Sequence, residues 1–203
     1  MKYVLIDRYL ELQKGKFGRA VKTITHGEDF LDFQITPMPC LPASMLVEAQ
    51  AQTAGILVQA TYDFRGKAIL AKVDRAEFFR PVTTGDRMLM TARMRDVRDW
   101  SCALETEVEV SGHVVARMSS LYAVLELTGV EGQYFDVPRF YGKRADLMRA
   151  LGVLDLLGID AETLARAGAK GIAVGSNGPV VSATQGLAEG DGESTDAPGS
   201  ARS

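Results

Sequence analysis

From Pro42 to Tyr62 the chain carries one charged residue, Glu48, and one glycine, Gly55. Met45, Ala49, Gln52, Ile56 and Ala60 recur there at helical spacing, and Pro42, with its fixed φ and missing N–H, suits the first turn of a helix. A surface helix of roughly five turns normally shows a charged face to water. One with a single charge has to be wrapped on most sides, so the rest of the chain is expected to supply the wrapping.

The flanking segments are written for that task. Tyr3 to Thr25 is rich in Val, Ile, Leu and Tyr and is broken at Lys14-Gly15-Lys16, which predicts a β-hairpin. After Asp63 come strand-like segments over Ala68 to Phe79 and Arg87 to Val97. Leu104, Thr106, Val108 and Val110 then alternate with Glu105, Glu107 and Glu109. Such period-two writing marks a half-buried antiparallel strand with its glutamates in water. Ser111-Gly112 supplies a tight turn, and His113 to Leu127 returns as another strand with Val115, Met118 and Leu121 among its apolar residues. A hairpin, a long helix and then several antiparallel strands make an α+β design, one helix against one curved sheet.

Beyond Leu127 the character changes. Gly132 to Lys143 reads as a linker, and Arg144 to Leu157 carries Leu147, Leu151, Leu154 and Leu157 at helical spacing, which predicts one short accessory helix packed through its leucines. Asp160 can cap a second small helix over Ala161 to Arg166. From about Gly175 to Ser203, Gly, Ala, Ser and acidic residues dominate without aromatics, the composition of a disordered tail. The expected organisation is a main domain over 1–128, an accessory segment over 129–174 and a tail over 175–203.

Composition excludes several function classes. A formal charge of −3 offers no broad basic field for nucleic acid, and no apolar run approaches the ~20 residues of a membrane span. The two cysteines, Cys40 and Cys102, form neither a disulfide framework nor a metal-ligand cluster, and the N-terminus does not read as a signal peptide. A cytoplasmic protein without a metal or other cofactor is expected.

The stretch Leu41-Pro42-Ala43-Ser44-Met45-Leu46-Val47-Glu48-Ala49-Gln50-Ala51-Gln52-Thr53-Ala54-Gly55 resembles a helix signature usually written M-P-G-V-L-I-x-E-A-x-A-Q-x-x-G. That signature belongs to the 3-hydroxyacyl-acyl carrier protein dehydratases of fatty-acid synthesis. Val4-Leu5-Ile6-Asp7-Arg8 with Leu10-Glu11-Leu12 resembles the opening strand of that family, and Val73-Asp74 through Phe79-Arg80-Pro81-Val82 with Gly85-Asp86 resembles its third. The resemblance covers about the first 127 residues. It implies a hotdog fold, in which an antiparallel sheet curls around the helix and two subunits pair to form a tunnel for an acyl chain.

It also implies site residues. In the family, an acid on the helix and a histidine upstream in H-F-P-G face each other across the dimer and dehydrate a 3-hydroxyacyl thioester. Removing a proton beside a thioester carbonyl and expelling hydroxide requires groups that titrate. Glu48 occupies the acid position, Gln52 the following glutamine, and Ala43 replaces the family's glycine at the helix start while keeping an N–H to polarise a carbonyl. Counted without a gap, Gln34 stands at the histidine position, and Gln34-Ile35-Thr36-Pro37 replaces H-F-P-G. Glutamine cannot serve as a base at neutral pH, and Pro37 offers no N–H. His26 is the alternative base if the loop is shifted, while His113, after a hairpin turn, reads as a surface residue. Cys40, near the helix start, is either a nucleophile favoured by the dipole or a small core residue. Lys72, Arg75 and Arg80, with Arg65, form a basic rim on which an acidic acyl carrier protein could dock, or else ordinary solvated charges.

The leading expectation is a dehydratase-like protein that handles an acyl thioester on acyl carrier protein as a homodimer or higher oligomer. Two alternatives stand beside it. One is a non-catalytic subunit in a mixed dimer with an intact paralogue, and the other is an acyl thioesterase using Glu48 with Gln34.

Overall fold

The computed structural model describes residues 4–32, 38–125, 137–162 and 164. All belong to the first of two compact units, Met1–Ile172, the second being Ala173–Ser203. In chain order the elements are β1 (Arg8–Gln13), β2 (Phe17–Thr23), α1 (Asp29–Asp32), α2 (Ala43–Thr61), β3 (Lys67–Phe78), β4 (Arg87–Val97), β5 (Ser101–Val110), β6 (His113–Leu125), α3 (Val137–Ala150) and α4 (Val153–Leu157). The six strands form one sheet in the order β1-β2-β4-β5-β6-β3, and every neighbouring pair is antiparallel. This is the α+β hotdog architecture. The chain leaves β2, runs through α2 across the sheet, and returns as β3 on the far edge.

Each local signal in the sequence has a physical counterpart. Gly15 turns the first hairpin with φ 72°, and Gly112 turns the β5–β6 hairpin with φ 77°. In β5 the burial alternates as written, with Leu104, Thr106, Val108 and Val110 inside and the glutamates outside. Pro42 is the residue before α2, its carbonyl accepting the first helical bond from the Leu46 N–H at 3.0 Å.

The helix settles close to the sheet because the residues facing it are small. Ala49, Ala54 and Ala60 are fully buried, as are Leu57 and Val58, each of the larger two contributing about 1.5–3 kcal/mol by burial. Two tyrosines fasten the helix from different parts of the sheet. The Tyr9 hydroxyl donates to the Thr53 carbonyl, and that of Tyr122 to the Ala51 carbonyl at 2.9 Å. Gly18 makes room for the first, since a Cβ there would stand 2.9 Å from the Tyr9 ring. Gln50, fully buried, is satisfied by the Thr106 hydroxyl at 3.0 Å and the Leu46 carbonyl at 3.2 Å.

The C-terminal segment departs from the sequence reading. The predicted single helix over Arg144 to Leu157 is two helices, because Gly152 takes a left-handed conformation, φ 72°, that ends the first and precedes the second. The first also begins earlier, at Val137, inside the expected linker. Of the expected helix over Ala161 to Arg166, the Leu164 N–H donates to the Asp160 carbonyl at 3.2 Å, and 165–166 lie outside the described residues, as does the expected tail. The short α1 was not expected; Phe30 and Leu31 anchor it in the core.

Candidate functional site

The helix α2 buries ten of its residues and leaves a stripe open along Glu48, Gln52, Gly55 and Gln59. Glu48, a turn and more from the helix start, is exposed. Its orientation is set by Gln52. The Gln52 Oε1 accepts from the backbone N–H of Leu5 at 2.8 Å, and because an N–H can only donate, this fixes which end of the amide is which. The Nε2 therefore points back along the helix and donates to Glu48 Oε1 at 3.0 Å. The N-terminal segment before β1 thus holds the amide, and the amide holds the carboxylate. Among the described residues no lysine or arginine pairs with Glu48.

Beside this pair lies a hollow of about 360 Å³. Glu48, Gln52 and Gln59 contribute its polar part; Ala51, Gly55 and Ile56 of α2, Ala68 and Leu70 of β3, Tyr122 of β6, and Leu147 and Met148 of α3 with Leu151 just after it contribute to its apolar part. Gly55 is the telling residue. A mid-helix glycine costs about 1 kcal/mol against alanine, yet a Cβ added here would meet only the Tyr122 ring, at an ordinary 3.8 Å. The missing side chain leaves space in the hollow. Tyr122 remains a phenol, since burial pushes its ionisation far above the usual range and the neighbouring Glu48 charge pushes it further.

The other expected site residues are placed as follows. Gln34 and Pro37 lie outside the described residues. Ala43 opens the helix with its side chain exposed. Lys72 and Arg75 lie on the edge strand β3 and Arg80 just after it, all exposed, and each sits beside a carboxylate: Lys72 with Asp74 at 2.7 Å, Arg75 with Glu77 at 2.7 Å, Arg80 with Asp86 at 3.8 Å. Arg65 pairs with Asp63 at 3.3 Å. Arg75 lines a depression on the outer face of the sheet with Arg93, Glu105 and Arg117, away from the helix that carries Glu48. The structure therefore brings Glu48 and Gln52 together and keeps Arg75 apart from them.

Neither histidine lines the hollow. His26 is exposed in the turn after β2, and His113 is exposed at the β5–β6 turn. Cys40, half-buried, forms an isolated bridge with Thr83 ahead of the helix. Cys102 is buried in the core, where burial pushes its thiol up to about 11. Sequence reasoning did not find Tyr122, the support from Leu5, or the three residues of the C-terminal segment. The leucine spacing announced that the last of these pack, but not that they pack beside Glu48.

Comparisons with known proteins bear on the family and the fold. The FabA-like domain family matches residues 1–119. A 3-hydroxyacyl-acyl-carrier-protein dehydratase, FabZ, from Listeria monocytogenes is 29% identical over 126 residues, covering 62% of this chain and 88% of the relative. The FabZ of Streptococcus thermophilus is 31% identical over 122 residues, covering 60% of this chain and 86% of the relative. Among solved structures, uncharacterized protein PH1136 from Pyrococcus horikoshii superposes with a TM-score of 0.51 at 15% identity, covering 61% of this chain and 85% of that one. AziG of S. sahachiroi does so at 0.50 and 18%, covering 59% and 91%. These two likenesses concern the fold.

Proposed function

Since this chain belongs to the FabA-like domain family, we propose that it binds a 3-hydroxyacyl thioester carried on acyl carrier protein, laying the apolar chain in the hollow over Gly55 and presenting the reacting carbons to Glu48. The observation that carries this reading is the pairing of a carboxylate, held in one orientation by Gln52, with an apolar hollow kept open by a helical glycine. Dehydration takes a proton from the carbon next to the thioester carbonyl and releases the C3 hydroxyl as water, leaving a double bond between those carbons. Glu48 is the group that exchanges the proton, and the N–H groups at the start of α2, at Ala43, are the donors for the carbonyl.

The same reading assigns the long β3 edge to subunit pairing. Ten of its twelve residues pair with β6, on one side only, and the central Ala71–Arg75 stretch is exposed. An unpaired edge of that length is a template for another strand, here that of a second copy. Lys72 and Arg75, on that strand, and Arg80, just past it, are the docking residues for an acidic carrier, exchanging their neighbouring carboxylates for those of the partner.

One sequence fact favours a second reading. Gln34, at the position of the family's histidine, cannot titrate, which suits a subunit that binds acyl groups and leaves chemistry to an intact paralogue. The test is to incubate the purified protein with 3-hydroxyacyl carrier protein and follow water loss by mass, beside Glu48→Gln and Gln34→His. Turnover by the wild type that Glu48→Gln abolishes supports the dehydratase. An inert wild type that Gln34→His awakens supports the subunit role, and release of free acid instead of water points to a thioesterase. Absence of any acyl binding overturns all three.

A further inference from the structure

The family match ends at residue 119, yet the hollow beside Glu48 is completed by residues well beyond it: Leu147, Met148 and Leu151. Met148 and Leu151 are 2% and 4% exposed, and the same core cluster holds Leu5, Ile6, Val153 and Leu154. This segment is built into the domain at two points. At one, the buried Arg144 lies over the Phe64 ring at 5.5 Å and donates to the carbonyls of Phe64 at 3.1 Å and Gly66 at 3.4 Å, and to Gln59 Oε1 at 3.4 Å. Those acceptors follow or end α2, where carbonyls have no helical partner and a cation is favoured. At the other, the Leu151 carbonyl accepts from the Tyr9 N–H at 2.9 Å, continuing the line of β1.

The consequence concerns the shape of the hollow. Glu48 and Gln59 are eleven residues apart on α2, about 16 Å at ~1.5 Å per residue. Glu48 marks one end of the groove. The other is where Arg144 meets Gln59, and Leu147 and Met148 follow Arg144 by one turn. The volume of about 360 Å³, in a hollow partly open to solvent, stands near the lower limit of roughly 300–1,000 Å³ usual for small-molecule sites.

We propose that Leu147, Met148 and Leu151 are specificity-determining residues, a wall supplied by the C-terminal extension that restricts the hollow to short acyl chains. The proposal rests on the acyl-thioester reading above. The wall acts through bulk: an apolar chain enters past Glu48, runs over Gly55, and stops where these side chains fill the groove.

The experiment measures binding of short, medium and long straight-chain acyl pantetheine thioesters to the full chain by calorimetry, with thermal melting of every variant. Leu147→Ala and Met148→Ala are expected to shift the preference toward longer chains, by about tenfold for each methylene newly admitted. Leu147→Phe, at a half-buried position, is expected to move the cut-off the other way. Both shifts in opposite directions, with melting transitions retained, support the wall. An unchanged chain-length profile in folded Leu147→Ala and Leu147→Phe proteins overturns it while the acyl-thioester reading stands. A wild type that binds none of the series overturns that reading, and the wall with it.

Discussion

Two depressions of similar size lie on opposite sides of this sheet, and they differ in what their charges do. The outer one, about 460 Å³, is lined by four arginines and three glutamates, and each glutamate is paired: Arg95 with Glu105 at 2.5 Å, Arg117 with Glu107 at 2.7 Å and Arg75 with Glu77 at 2.7 Å, while Arg93 lies over the Phe17 ring. The inner one, about 360 Å³, holds a single carboxylate, bound to a neutral amide and set among apolar side chains. Concavity alone therefore identifies nothing. A hollow whose charges are mostly paired takes a charged ligand only by exchanging one pair for another. One that holds an acid in a fixed direction beside open apolar space can bind and react.

The comparison can be broken by experiment. The largest effect is expected from Glu48→Gln, which removes the titrating group and keeps the shape. Turnover of the 3-hydroxyacyl substrate should fall by about 10²–10⁴-fold with melting unchanged, and a variant as active as wild type would move the chemistry elsewhere. Gly55→Leu comes next. It fills the inner hollow from the floor at a position whose backbone is ordinary helix, so binding of an acyl thioester should fall by about a hundredfold while the melting temperature holds or rises. Loss of folding in this variant would show that the space over Gly55 is smaller than the geometry gives.

Arg144→Ala tests the support of the inner hollow. It strips a buried guanidinium from three acceptors and should cost about 2–3 kcal/mol in chemical denaturation; a cost under about 0.5 kcal/mol would mean that the C-terminal segment holds without it. The smallest effect belongs to the outer face. Arg95→Gln and Arg117→Gln break exposed pairs and should change stability by less than about 1 kcal/mol, less still at high salt, and leave acyl binding untouched. A tenfold loss of binding from either would overturn the distinction between the two faces.

A pH effect sharpens the picture of the segment leading into the site. Lys22 bridges Glu28 at 2.7 Å and Asp7 at 3.1 Å. Burial works against its ammonium, but the hydrogen bonds and charges of these two carboxylates outweigh burial and raise its ionisation above the ordinary lysine value. A raised folded value stabilises the protein fully below the unfolded ionisation near 10.5, and the contribution is lost as pH climbs through the folded value. Wild type should therefore lose its advantage over Lys22→Met in thermal melts as pH climbs from neutral through that alkaline range. An equal advantage on both sides of it would show that the bridge does not act through charge.

The long helix, the strands around it and their order could be read from the sequence alone, because each was written in a local code. Low charge over Pro42 to Tyr62 announced a wrapped helix, alternation in β5 announced a half-buried strand, and Gly15 and Gly112 marked the turns. Glu48 and Gln52 are named as site residues by the resemblance to a family's helix signature, and their i, i+4 spacing puts them on one helix face. Less local matters were not legible. The leucines after Arg144 signalled a helix, but its break at Gly152 and its partner surface depend on contacts with Arg8, Tyr9 and Gln59, residues distant in sequence. Likewise the basic residues of β3 looked like a rim, and only the fold showed a carboxylate beside each and turned Arg75 to the outer face. Periodicity records which side of an element is apolar. What that side meets, and whether a space is left there, is decided by the docking of distant elements, which the tertiary structure alone fixes.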